Sequence, residues 1–215
     1  MKFNFVDFFN RQKTQDYFKK IIKHLTNSKN ITPAKKHIFF AMKNFDFDNL
    51  KVIIIGQDPY PGKDVADGLC FSSNEQKTPA SLMNIFKEIK NSYPKCSFKS
   101  NNLYYWKDQG VLLLNSILTN EIGKTLAHKN IGWEIFTLNL LSELNQTYSQ
   151  IIYLVLGNYA KNFIKNLDLN NQIIFSTSHP SPLGVHAGFS GSKIFEKINK
   201  KLQELNKIPI DWSTQ

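Results

Sequence analysis

At 215 residues, with 41% hydrophobic and 20% charged side chains, the chain is long enough to bury one sizeable core. Its two cysteines, Cys70 and Cys96, form no Cys-x-x-Cys, argue against a disulfide framework and cannot supply a four-cysteine metal site. The net charge of +10 suits a polyanionic partner, although one arginine, Arg11, against 26 lysines is a skew that codon usage alone would produce. No apolar run approaches a membrane span, and Met1–Arg11 shows neither signal-peptide nor transit character, so a cytoplasmic location is expected.

Taken in order, Phe5–Leu25 and Pro33–Phe45 read as two helices, with Pro33 as the punctuation between them. Val52–Ile55 is the first of four apolar, β-branched runs that predict strands. Ser81–Asn91 follows with Leu82, Ile85, Phe86 and Ile89 on one helical face. Val111–Leu114 is the second strand, Ile131–Leu144 a helix, Ile151–Leu156 the third strand, Gln172–Ser176 the fourth, and Lys193–Leu205 the last helix. The strands are apolar almost throughout rather than alternating, as expected where both sheet faces are covered. The reading is a single α/β domain over 1–215. N-terminal helices within 1–45 precede an α/β core at 50–215, a central four-stranded parallel sheet flanked by helices on both faces.

In such folds ligands sit beyond the carboxyl ends of the strands. The segments placed there are Gly56-Gln57-Asp58-Pro59-Tyr60, Asn115-Ser116, Gly157-Asn158-Tyr159 and Thr177-Ser178-His179-Pro180-Ser181-Pro182-Leu183. Asp58 suits the stabilisation of developing positive charge or the orientation of a water, but an Asp before proline equally serves a turn or a cap. The Asn115 amide offers a donor and an acceptor together, as a pyrimidine edge requires, or it caps its strand. A desolvated His179 is biased to the neutral form and still donates one hydrogen bond; as a loop residue it does nothing chemical. Phe71 is either core or a stacking platform for a flat base. Leu183, on a stiff Ser-Pro-Leu-Gly loop, is either an ordinary exposed leucine or a wedge for a base stack.

Gly56-Gln57-Asp58-Pro59-Tyr60 with Gly68-Leu69-Cys70-Phe71-Ser72, and His179-Pro180-Ser181-Pro182-Leu183 with Gly188-Phe189, resemble the two signatures of family 1 uracil-DNA glycosylases. Gly110 to Asn115, His128-Lys129 to Gly132-Trp133 and Pro209 to Trp212 are similar to the family's middle and final segments, in order from about Leu50 to the C-terminus. The resemblance implies a monofunctional enzyme that flips uracil out of DNA and hydrolyses its glycosidic bond, without cofactor or metal. Asp58 and His179 would be catalytic. Gln57, Tyr60, Phe71 and Asn115 would bind uracil, Tyr60 excluding thymine by its methyl group. Ser81, Asn158, Tyr159, Ser181 and Leu183 would meet the DNA. Acidic DNA-mimicking inhibitor proteins would be the protein partners of a monomeric enzyme.

The chain departs from the pattern at four positions. Pro61 stands where a histidine is usual, which removes a donor near Asp58 and predicts altered water positioning. Gly184 replaces a common serine, Ala187 a common arginine and Ala80 a proline, which predicts weaker, lysine-dependent and salt-sensitive DNA binding. Two other readings share these residues: a non-catalytic DNA-binding protein on the same fold, and an enzyme of broader base choice. A phosphate-binding hydrolase finds no support, for lack of a Walker-type loop or a carboxylate cluster.

Overall fold

The computed structural model describes residues 2–215. Its strands are β1 (Ile31–Thr32), β2 (Val52–Gly56), β3 (Val111–Asn115), β4 (Asn120–Glu121), β5 (Ile152–Leu156) and β6 (Ile173–Thr177). Its α-helices are α1 (Phe5–Gln12), α2 (Asp16–Asn27), α3 (Ala80–Ser92), α4 (Tyr104–Asp108), α5 (Trp133–Thr147), α6 (Gly157–Phe163) and α7 (Ile194–Glu204). The main sheet is four-stranded, in the order β3-β2-β5-β6, and every pairing in it is parallel. β1 and β4 form a separate antiparallel ladder of two residues each. Among the described residues no helix is long and apolar enough to cross a membrane.

The connection from β2 to β3 steps one way along the sheet, and that from β3 back past β2 to β5 steps the other. Right-handed crossovers in opposite directions place α3 and α5 on opposite faces. α7 packs beside α3, and α2 beside α5, which completes the two helical layers. The reversal of strand order between β2 and β5 opens a crevice at their carboxyl ends, where this fold class binds ligands. β2, β3 and β5 are buried along their whole length, which is why their sequences are unbroken apolar runs. β6 differs from the expectation: its residues alternate between half-buried and exposed, with Ile174 48% exposed, whereas the other edge strand, β3, is buried throughout.

Two expected helices take other forms. Phe5–Leu25 is divided into α1 and α2 because Thr14 Oγ1 and Gln15 Nε2 both donate to the carbonyl of Arg11, at 2.9 and 3.5 Å, and end the first helix. Asn4 caps α1 by accepting from the N–H groups of Val6 and Asp7. Pro33–Phe45 is not an α-helix. A 3-10 turn at Lys35–His37 runs into further turns, with Phe40 and Met42 N–H bonded to the carbonyls of His37 and Phe39 and Asn44 at φ 55°. Ile38, Ala41, Met42 and Phe45 are buried all the same, so packing rather than helical periodicity sets their spacing.

The N-terminal helices join the core through aromatic contacts, such as Phe8 against Phe136 at 5.4 Å and Phe18 against Trp133 at 6.3 Å. The C-terminal tail is anchored at the other end. Trp212 meets Trp106 and Phe195 at 5.1 and 5.0 Å, and Asn199 exchanges hydrogen bonds with the backbone of Ile210 on either side of its amide. Trp212→Ala would empty a fully buried site and is expected to cost about 3–5 kcal/mol. Urea unfolding followed by far-UV CD measures this, and a loss below about 1 kcal/mol would mean that the tail contributes little to the core.

Candidate active site

Parallel pairing sets Gly56 at the end of β2 beside Asn115 at the end of β3. A Cβ at residue 56 would stand 2.2 Å from Asn115 Oδ1 and 2.6 Å from the Cβ of Cys70, so only glycine leaves room for the amide. The amide lies at the floor of a cavity of about 180 Å³ that Gln57, Asp58, Tyr60, Phe71, Ser81 and His179 also line. That is smaller than the roughly 300–1,000 Å³ of drug-sized pockets and suits a single flat ring. The loops after β2, β3 and β6 therefore converge as the sequence suggests. Asn115 is buried, yet its amide has no hydrogen-bond partner among the described residues, which leaves a donor and an acceptor for a ligand.

Asp58 is half-buried, and burial pushes its carboxyl above the ordinary value of 3.8, against the opposing pull of its hydrogen bonds. Its Oδ2 accepts from Leu126 N–H at 2.8 Å and from Asn120 Nδ2 at 2.6 Å. The loop itself is pinned through the carbonyl of Gln57, which accepts from Ser116 Oγ at 2.8 Å and from Ile117 N–H at 3.0 Å. Gln57 supports the loop by its backbone.

His179 faces the cavity with its ring 5.9 Å from that of Phe71. Burial holds it below the ordinary histidine value of 6.5. Its Nδ1 accepts from Ser181 N–H at 3.0 Å, so in the neutral ring the proton sits on Nε2. The loop is braced from inside: Ser178 Oγ donates to Gly184 O and Asn84 Nδ2 to Pro180 O, each at 2.8 Å. A Cβ at Gly184 would lie 2.5 Å from the carbonyl of His179, so the serine usual there would shift the histidine.

Phe71 sits at φ 63°, a left-handed conformation that an aromatic residue adopts only when its surroundings impose it. The neighbouring Asp67 supplies that constraint. Fully buried, it accepts from Leu69 N–H at 3.0 Å and from Ser72 Oγ, and Ser72 Oγ in turn accepts from Leu103 N–H. Tyr60 OH reaches the carbonyl of Phe71 at 3.4 Å, and together the two rings form one wall.

The remaining expected residues are distributed around the rim. Ser81 is half-buried in the first turn of α3, where free backbone N–H groups favour an anion. Asn158 is exposed at the start of α6, and Tyr159 beside it bonds Ser116 Oγ at 2.7 Å, tying the rim to the Gln57 loop. Ser181 is half-buried, and its carbonyl accepts from the N–H groups of Gly184 and Val185. Leu183 is 99% exposed, the most exposed large apolar side chain described. Pro61 lines the cavity without an N–H, while Ala80 and Ala187 are exposed.

Sequence reasoning missed Asn120, Asp67 and Glu88. Glu88 lies buried on α3 and accepts from Gly191 and Lys193 N–H, each at 2.7 Å, so it holds the segment after the His179 loop. A carboxylate next to Ile89 on the apolar face of a predicted helix was a visible signal of this. Asn120, closing the buried run Ile117-Leu118-Thr119, was a fainter one.

Residues 42–203 match the model of the uracil DNA glycosylase superfamily. A uracil-DNA glycosylase of Mycoplasmopsis pulmonis is 43% identical over 212 residues, covering 97% of this chain and 96% of that protein. One of Mesomycoplasma hyopneumoniae is 41% identical over 215 residues, covering 99% and 98%. Among solved structures, mimivirus UNG in a variant form in complex with UGI is similar at a TM-score of 0.91 and 28% identity, covering all of this chain and 89% of that one. The chain belongs to the uracil DNA glycosylase superfamily.

Proposed function

We propose that the chain is a monofunctional, family 1 uracil-DNA glycosylase that flips uracil out of DNA and hydrolyses its glycosidic bond to leave an abasic site. The observation that carries this reading is one ring-sized cavity holding a half-buried carboxylate, an unpaired amide and a neutral histidine with its proton on Nε2. The bond between C1′ and uracil N1 breaks with its electron pair leaving on the base. The sugar becomes cationic and uracil anionic. Asp58, fixed near the sugar, stabilises the first charge and orients the attacking water, whose oxygen bonds to C1′ as its proton passes to solvent. His179 Nε2–H donates to uracil O2 as the second charge develops. Preorganised groups of both signs favour the transition state over the neutral substrate.

Asn115 would pair with the uracil edge and reject cytosine, whose amino group meets the wrong end of the fixed amide. Phe71 would stack on the ring, and Tyr60 would close the space beside C5 against a thymine methyl. Leu183 would fill the gap in the duplex, and Ser81, Asn158, Tyr159 and Ser181 would follow the backbone, with lysines supplying the sequence-independent attraction. The N-terminal helices within 1–45 and the core at 50–215 would act as one unit, cytoplasmic and monomeric. An acidic DNA-mimicking inhibitor protein would fit the same face, a reading favoured by the mimivirus relative in complex with UGI.

An oligonucleotide bearing one uracil, incubated with the protein in EDTA and then treated with alkali, should break at that position, while a thymine control stays whole. Asp58→Asn should lose on the order of 10²–10³ in rate with the fold intact. Retained DNA binding without breaks would instead favour a non-catalytic DNA-binding protein.

The pH profile follows from the two shifted groups. Asp58 must be ionised and its carboxyl is raised above 3.8, while His179 must be neutral and lies below 6.5. Activity should therefore fall on the acid side, where either group takes up a proton, and show no fall toward alkaline pH from these two groups. A loss of kcat/KM on raising the pH from 6.5 would show a cationic His179 instead.

Leu183→Ala should leave thermal stability within roughly 0.5 kcal/mol of the parent, because the side chain touches almost nothing. Its kcat/KM should fall more on duplex than on single-stranded substrate, where no gap needs filling. Equal losses on both substrates would remove the wedge from the mechanism.

A further inference from the structure

Asn120 lies in β4, opposite Thr32 of β1, and is fully buried. Its Oδ1 accepts from the backbone N–H groups of Ala127 at 2.8 Å and Glu121 at 3.2 Å. These two bonds fix the direction of the amide, since a flipped side chain would set its NH₂ against two donors. Nδ2 therefore faces the loop after β2, where it donates to Asp58 Oδ2 at 2.6 Å and reaches Pro59 O at 3.5 Å. Leu126 N–H donates to the same carboxylate oxygen at 2.8 Å. Among the described residues no group donates to Asp58 Oδ1.

We infer that Asn120 is a positioning residue for glycosidic cleavage: it saturates Oδ2 of Asp58 and so reserves Oδ1 for the attacking water and the sugar. The inference rests on the proposed uracil excision and adds a residue to it. A carboxylate with one oxygen held by two donors has lost its freedom to rotate, so the other oxygen points in one direction. Charge-assisted donors also favour the ionised form against burial, which is the state the reaction needs. Residue 61 brings no such donor, because Pro61 has neither a backbone N–H nor a polar side chain. β4 supplies the donor instead.

The other titratable groups near Asp58 do not take this part. Tyr60 and His179 line the same cavity and Tyr159 lies further out, but none of them donates to the carboxylate. Glu121, next to Asn120, is paired with Lys124 at 2.6 Å.

Two variants separate positioning from bulk structure. Asn120→Leu removes the donor, whereas Asn120→Asp keeps an acceptor for Ala127 and Glu121 and sets a second carboxyl against Asp58. Each is compared with the parent and with Asp58→Asn in kcat and KM on a uracil-bearing oligonucleotide across pH. In the free protein, the Asp58 carboxyl carbon is titrated by NMR. Both variants are expected to titrate Asp58 at higher pH than the parent and to lose on the order of 10²-fold in kcat with KM nearly unchanged. The acid limb of their rate profiles should move up with the titration. Parent-like titration and kcat in both variants would overturn the inference, as would a loss that appears only in KM or only in step with thermal stability. A parent idle on uracil whose Asp58 titration still responds to Asn120 would sink the proposed reaction and uphold the hold of Asn120 on the carboxylate.

Discussion

Gly56 and Asn115 stand side by side at the ends of β2 and β3, and the amide of Asn115 occupies the space that a side chain at residue 56 would fill. The rest of the site depends on that close approach. Because the amide is seated beside the sheet, the loop after β2 must turn over it, and its carbonyl at Gln57 is caught by Ser116 at the end of β3. Asp58 is then delivered to one side of the cavity, while the loop after β6 brings His179 to another. A site built on strand ends in a buried parallel sheet inherits the rigidity of the sheet.

The two ionisable groups are tuned in opposite directions by the same environment. Burial raises the carboxyl of Asp58 and lowers the imidazole of His179. For the histidine, loss of charge is what the proposed reaction requires, and the Ser181 N–H on Nδ1 selects the tautomer that presents Nε2–H to the cavity. For the aspartate, loss of charge would work against the proposed reaction, and two donors on Oδ2 oppose it. One dielectric environment therefore favours the neutral form of both groups, and the donors on Asp58 are what oppose it at the carboxylate.

The parts legible in the sequence are those with a one-dimensional signature. Strands buried on both faces read as unbroken apolar runs, and the residues just beyond them have to be near any ligand; this alone points to Asp58, Asn115 and His179. The difference between the two edges is not legible, because β3 and β6 each have a single neighbour and both read as apolar runs, yet only β3 is buried throughout. Nor is the course of Pro33–Phe45, whose apolar spacing imitates a helix while its backbone follows turns fitted to the core. Asn120 is hidden for a different reason. β4 is two residues long, too short for any period, and the meaning of its amide lies wholly in four partners distant or unmarked in the chain.

The departures from the family pattern acquire physical meaning in the same way. At residue 184 the backbone passes so close to the carbonyl of His179 that a serine would displace the histidine, so glycine there belongs to the geometry of the loop as well as to its surface. Serine at this position would have to come with a loop that runs differently. At residue 61 proline removes a donor, and the buried amide of Asn120 reaches the same carboxylate from β4. Each exchange sits within one residue contact of a group assigned to the chemistry, whereas Ala80 and Ala187 lie exposed on the rim. In the proposed complex with DNA, substitutions at the rim would change contacts one at a time. Those beside Asp58 and His179 must be matched by a second residue, because a buried charge or a fixed tautomer left without its partner costs more than any surface contact returns.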